Sequence, residues 1–382
     1  MTTAWLNGVI SSGFEVNAAR YFAAATERKA EYLVAHRRPW PSGSHQWPYR
    51  GGACSTIYKR CMTKKFKQNE PNKHHFLPVF YLKEWAGADG RIVQFSRPNP
   101  NDKRIKPLRR HPSAVGYINR LYAVEGLPEK VANLFETEFT RPVDTEAAAA
   151  MQRLMMGRFD ADATPKEAVA WIKYLLSLMM RMPADIKRLK HYVKHNWFSD
   201  LPSLQAAFTR SGMTGNPQTV EDYQKLLGPT FHERAAMVAL SGMMQVDAAI
   251  KAIGQLQWTV SNVYGEREFL TSDRPLIASV GMNGPKAHII LPIGPHRVFV
   301  ATKTEGFRRN LVDKQPWDFV TTVNKHIVNN ATDYVYGSNG AALRFVQKHM
   351  GEGREETFLE RINKRRMAEI AKPVSERTDL DL

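Results

Sequence analysis

Helix-type and strand-type patterning fall in separate stretches of this 382-residue chain, and that separation constrains the fold more than any other feature. Residues 127–156 carry Val131, Leu134, Phe135 and Phe139 on one helical stripe, with Pro142 expected to break or kink it. Thr164 then caps a strong helix opened by Pro165 and Glu167. Its apolar face runs through Trp171, Ile172, Leu175, Leu176, Met179 and Met180 until Pro183 ends it. Further helices are expected over 184–198 and, as one long element, over 231–256. From Gln257 the pattern turns to short β-rich runs at 257–263, 268–271, 288–293 and 297–302, separated by Gly, Pro and Asn, with 293–296 turning a hairpin. Helix returns over 317–332 and, as a charged terminal element, over 358–370. Strands and helices do not alternate as βαβ units. The class is therefore α+β: a helical core with a small, mostly antiparallel sheet in the C-terminal half.

The start of the chain reads differently. Residues 1–61 hold eight Lys/Arg against three Asp/Glu and a Pro/Gly/Ser/Trp-rich middle with neither period. They are expected to be a disordered arm or upstream translation ahead of a native start at Met62. One α+β domain is expected over 62–345 and a charged helical tail over 346–382. Residues 72–85 read as a loop entering a short helix with Pro78 in its first turn, and 91–96 as a short strand. Residues 97–110 hold six basic residues, one acid and three prolines, and read as a loop.

The only cysteines, Cys54 and Cys61, lie in the N-terminal 61 residues, so a disulfide framework, a thiolate zinc site and a cysteine nucleophile are excluded from the body. The most apolar window noted, 171–182, contains Lys173 and Arg181 and is too short for a membrane span, and the N-terminus lacks a secretory pattern. A cytoplasmic protein without membrane partners is expected. The net charge of +17 points to polyanions, nucleic acid among them. Lys103, Arg104, Lys106, Arg109 and Arg110 are the residues expected to meet phosphates; without interleaved aromatics they are not suited to base stacking.

Four residues stand out as chemistry. His74 and His75 precede a helix start, where an anion can sit against free N–H groups and a histidine can move a proton or hold a metal. Asp273 closes a strand end in 269–277 and can bind a metal or orient a histidine; an Asx-type turn explains it equally. Arg181, at the end of an apolar helix, needs a carboxylate or phosphate, with Glu136, Glu138 or Asp144 as protein partners. Asn324, His326, Asn329 and Asn330 cluster on one helix. Walker, GxGxxG, HExxH, GxSxG, kinase and zinc-deaminase signatures are absent.

Lys73-His74-His75-Phe76-Leu77-Pro78-Val79-Phe80-Tyr81-Leu82-Lys83-Glu84-Trp85 resembles the His-x-x-Pro-x-x-Tyr-Leu-x-x-Phe opening of the bacterial domain of unknown function 4238 family, with Trp85 at the usual Phe position. Arg181-Met182-Pro183 resembles its Arg-x-Pro, Thr271-Ser272-Asp273-Arg274-Pro275 its Thr-Ser-Asp-x-Pro, and Leu291-Pro292-Ile293-Gly294-Pro295 its Pro-Leu-Ser-Pro strand end. Asn324 and residues 331–337 resemble its closing helix and Tyr-rich end. The resemblance departs at a central helix, where Asp144 or Glu146 stands for the family's Glu. It implies a fold and a set of marked residues but no reaction. Two readings follow. One is a hydrolase of nucleic acid or another polyanion using His74, His75, Asp273 and Arg181, with or without a divalent metal. The other is a non-enzymatic polyanion- or protein-binding module.

Overall fold

The computed structural model describes residues 72–97, 104–157, 165–199, 201, 205, 209, 219–312, 316–353 and 355–373. The expectations for residues 1–61, for Met62, for Lys103 and for the cap at Thr164 lie outside them. In chain order the elements are β1 (Lys73–His75), α1 (Val79–Leu82), β2 (Ile92–Ser96), β3 (Lys106–Arg110), β4 (Tyr117–Asn119), α2 (Glu129–Ala132), α3 (Arg141–Met155), α4 (Pro165–Met180), α5 (Pro183–Ser199), α6 (Val220–Leu227), α7 (Phe231–Met243) and α8 (Asp247–Gly254). They continue with β5 (Gln257–Asn262), β6 (Thr271–Ser272), β7 (Ile277–Ala278), β8 (His288–Gly294), β9 (Arg297–Thr302), α9 (Glu305–Val312), α10 (Pro316–Asn330), β10 (Tyr334–Gly337), α11 (Leu343–His349) and α12 (Phe358–Ile370).

The class is α+β, with helices as the main body. The strands form three antiparallel sheets: β1-β4, β3-β2-β10-β6 and β5-β9-β8-β7. The last has the longest strands and holds the expected hairpin, β8 paired to β9 through a bulge at Pro292/Gly294. Trp171 of α4 and Trp258 of β5 both meet Phe299 edge-on at 5.5 Å, which seats the helical body on this sheet. On its other face Val320, Val323 and Ile327 of α10 pack with Phe269, Ile290, Val298 and Val300. Phe358, Leu359 and Ile362 of α12 join the main core.

Four local expectations change. Residues 106–110 are a strand and not a loop: β3 is an edge strand paired only to β2, and an edge tolerates Pro107 because one side of its backbone needs no ladder donor. Residues 73–75 likewise form a strand where a loop was expected. The single helix expected over 231–256 is two, α7 and α8, separated by a turn at 244–246. Phe231–Gly254 is also long and apolar enough by composition to cross a membrane, and 61% of its apolar window is buried inside the fold, as expected of a core helix. Pro142 does not break its helix. A five-residue π-helical turn, Glu136–Thr140, precedes α3, and Pro142 sits in the first turn of α3, where its missing N–H costs no helical bond.

Candidate active site

The segments marked by sequence interlock around residues 268–273. The Tyr81 hydroxyl lies 2.7 Å from Thr271 Oγ1 and donates to the Pro292 carbonyl at 2.9 Å. Trp85 Nε1 donates to the Phe269 carbonyl at 2.8 Å. Asn324 accepts from Leu270 N–H and donates to the Glu268 carbonyl, both at 2.8 Å. Asp273 is buried, and its two oxygens accept the N–H groups of Thr332 (2.9 Å), Asp333 (2.6 Å) and Tyr334 (3.1 Å). Burial pushes its carboxyl up to about 6, against the pull of those N–H groups. A carboxylate so occupied pins the turn between α10 and β10. His326, by contrast, is part-exposed, 3.8 Å from Glu355.

A second buried polar group lies where β1, the segment after β4, the π-turn, α3 and the end of α4 meet. His74 and His75 are neighbours on a strand and so face opposite sides. His74 is fully buried, stacked on Tyr122 with centroids 5.6 Å apart, and its Nδ1 accepts the Tyr122 N–H at 3.0 Å. That bond places the proton of the neutral ring on Nε2. His75 is half-buried against Tyr117, and its Nε2 has no hydrogen-bond partner. Burial first, then Lys73 and Arg181, lower its pKa to about 4, so the ring is neutral at physiological pH. The amides ahead of α1 offer no anion cradle: Phe76 and Leu77 N–H both donate to the Gly116 carbonyl, at 2.9 and 3.1 Å. Gly116 has φ +66°, and a Cβ there would lie 2.9 Å from a Leu82 methyl and 3.0 Å from the Leu77 carbonyl, so only glycine brings that carbonyl so close.

Arg181 is the residue after α4, held inside by the prompt start of α5, with its side chain 1% exposed. Among the three carboxylates proposed for it, Asp144 is the partner, Nη1 to Oδ1 at 2.7 Å. Its guanidinium lies over the Tyr174 ring at 5.5 Å, and its carbonyl accepts the Tyr122 hydroxyl at 3.3 Å. Burial opposes the charge, but Asp144, with Tyr122 and Tyr174, more than offsets it and the guanidinium stays protonated. Nε and Nη2 have no hydrogen-bond partner, nor has the Tyr174 hydroxyl.

Glu136 completes the group. It is buried, with Oε2 unpartnered and Oε1 3.9 Å from Arg141 Nε. Burial and the Asp144 charge push its carboxyl up to about 7, with Arg141 and Arg181 pulling the other way. The π-turn starts at Glu136 and widens the helix there, a geometry found often at functional sites. One turn earlier, fully buried Asn133 has both side-chain polar atoms unpartnered. Nearby Arg120 has φ +57°, a left-handed conformation unusual for a non-glycine residue.

The structure therefore brings His75 and Arg181 within mutual electrostatic reach, seats His74 behind them on Tyr122, and gives Asp273 separate partners. Sequence reading named Glu136 only as a possible partner of Arg181 and missed Asn133, Tyr122 and Tyr174. A carboxylate between Phe135 and Phe139 is a faint signal; the π-turn that aims it is not periodic enough to read. Among the described residues no three His, Cys, Asp or Glu side chains gather to hold a metal. Arg104, just before β3, and Lys106, Arg109 and Arg110 on it are all exposed, and Arg109 pairs with Asp89 at 2.7 Å.

A family model described as protein of unknown function (DUF4238) matches residues 73–341. This chain belongs to that family. The DUF4238 match spans both polar groups, from His74 to Tyr334. No curated protein and no solved structure matches the chain.

Proposed function

We propose that this DUF4238 protein is a hydrolase of an anionic substrate, with the phosphodiesters of nucleic acid as the class its charge best fits. The observation that carries the reading is Glu136: a buried carboxyl held near neutrality, with one oxygen unpartnered, beside the Asp144–Arg181 pair. A group whose pKa lies near the working pH is suited to both halves of acid–base catalysis. Glu136 takes the proton of an attacking water as the new P–O bond forms, and returns it to the leaving oxygen as the old bond breaks. Arg181, fixed by Asp144, stabilises the charge that builds on the phosphoryl oxygens. Neutral His75, half-buried and within electrostatic reach of Arg181, offers its unpartnered Nε2 to substrate. Lys103, Arg104, Lys106, Arg109 and Arg110 hold the rest of the polyanion. His74 and Asp273 serve here as framework, and no step is routed through a metal.

The test is incubation of the full chain and Glu136→Gln with single-stranded DNA, double-stranded DNA and RNA, each with Mg²⁺, Mn²⁺, Zn²⁺ or chelator. Cleavage should fall on the order of 10²- to 10⁴-fold in the variant, the usual contribution of a positioned acid–base group. Equal cleavage by both proteins, or none by the wild type, contradicts the reading.

The second reading, a non-enzymatic polyanion-binding module, is favoured by the exposed basic edge of β3. It expects salt-sensitive binding that weakens when Lys106 and Arg110 are neutralised together, with no cleavage.

A further inference from the structure

The outer face of α5 carries one kind of chemistry from end to end. Over this 17-residue helix the exposed positions are Lys187, His191, Lys194, His195, Phe198 and Ser199, spaced so that they form a single stripe. None of them is acidic. The one carboxylate of α5, Asp185, is buried and paired with Arg188 at 3.2 Å, and Glu233 of α7 is taken by Lys190 at 3.0 Å. Opposite charges are thus matched along the flanks, whereas Lys187 and Lys194 have no acidic partner among the described residues. The rings of His191 and His195 lie between them, 6.0 Å apart.

A second feature stands at the far end of the stripe. Phe198 is 49% exposed, with its ring against His232 at 5.5 Å. An exposed phenyl alone needs no explanation, but at the end of a row of cations it supplies the flat apolar surface on which an unpaired base stacks. A rise of about 1.5 Å per residue puts Phe198 roughly 16 Å from Lys187 along the axis, the length of a short run of nucleotides. The basic residues at β3 include no aromatic and offer charge alone.

We infer that the outer face of α5 binds single-stranded nucleic acid. Lys187 and Lys194 meet phosphates, His191 and His195 add hydrogen bonds between them, and Phe198 stacks an unpaired base. A single strand fits better than a duplex, whose bases are already stacked on one another and leave Phe198 without a partner. A membrane surface fits less well, because one phenyl on an otherwise polar stripe gives little apolar area to insert. Since α5 starts two residues after Arg181, the Lys187 end of the stripe is the one nearer that guanidinium. The inference rests on the nucleic-acid half of the proposed reading and uses none of the residues assigned to hydrolysis.

The test is fluorescence anisotropy of the full chain with a thymidine oligonucleotide of about 20 nucleotides, long enough to cover one such face, both single-stranded and annealed to its complement. Cleavage is followed on gels of the same samples. The single strand should bind more tightly than the duplex. Lys194→Glu should weaken it about tenfold and lower the salt slope by about 1, as expected for one lost phosphate contact. Phe198→Ala should weaken the single strand about tenfold, spare the duplex and so erase the preference. Lys251→Glu, the same charge change at an exposed site on α8, should alter affinity less than about twofold, because charges off the stripe are screened. All three positions are exposed, and circular dichroism confirms that each variant folds. Binding without cleavage removes the hydrolase reading and leaves this inference standing. No binding of the single strand at about 100 µM protein, the weak limit of non-specific contact, overturns it. So does an equal effect of Lys251→Glu and Lys194→Glu, which makes net charge the cause, or a strand preference that survives Phe198→Ala. Capture by phosphatidylglycerol vesicles with no oligonucleotide binding overturns it in favour of a membrane.

Discussion

Two buried carboxylates, Asp273 and Glu136, show two uses of the same chemistry. Each is taken out of water and each has its pKa raised, to about 6 and about 7. Around Asp273 both oxygens are occupied by three backbone N–H groups. Around Glu136 the bonds run short: Glu136 Oε2, Arg181 Nε and Nη2, His75 Nε2, the Tyr174 hydroxyl and both polar atoms of Asn133 lack partners. A saturated buried group locks a fold, because removing it strands its partners. An under-bonded cluster spends stability and persists where those free donors and acceptors meet something else.

The comparison can be broken first at its strong end. Asp273→Ala strands three amides and should destabilise by about 4 kcal/mol in urea unfolding, at about 1–3 kcal/mol per orphaned group. Asp273→Asn should lose nearly as much, since an amide nitrogen then faces an N–H. A loss under about 1 kcal/mol, the level of an ordinary surface change, would remove the distinction between the two regions.

Glu136 comes next. Its folded pKa is raised from 4.5 to about 7, so below pH 4.5 both folded and unfolded states hold the proton, and between those values only the folded state does. Stability should therefore fall as pH rises from 4.5 to 7, by on the order of 3 kcal/mol, and Glu136→Gln should abolish that slope. Asp273 contributes a loss of the same sign between 3.8 and about 6, so the difference between wild type and Glu136→Gln isolates the Glu136 share. Arg181→Met should cost about 2 kcal/mol: it leaves Asp144 alone, but Asp144 is part-exposed and the unpartnered guanidinium nitrogens are removed with it. His75 should tilt the curve the other way. Its folded pKa is lowered from 6.5 to about 4, so stability should drop as pH falls through that range, and His75→Gln should flatten the acid limb. Replacing Lys106 and Arg110 by Gln should change stability by less than about 0.5 kcal/mol, because both are exposed on an edge strand.

Much of the framework was legible in the residues. The helix from Pro165 and the hairpin of β8 and β9 follow from period and punctuation, and Arg181 was read as a buried cation in need of a carboxylate. The tight turn reading of Asp273 also had a local cause, its short side chain reaching backbone amides, although here those amides lie about sixty positions away along the chain. What could not be read was long-range or aperiodic. The pairing of β2 with β10 joins residues at opposite ends of the chain, and nothing in 92–96 specifies that partner. Pro107 hid a strand because prolines mark loops except at sheet edges. The π-turn at Glu136 has no sequence period at all, so the residue placed at the centre of the proposed chemistry stood out least.

The most direct measurement is a carbon-detected NMR titration of the glutamate side-chain carboxyls, with Glu136 assigned by the signal lost in Glu136→Gln. A midpoint near pH 7, shifting when Arg181 or Asp144 is replaced, is the result expected of an acid–base group tuned by burial and by that pair. A midpoint near 4.5, the value of an ordinary exposed glutamate, would contradict it.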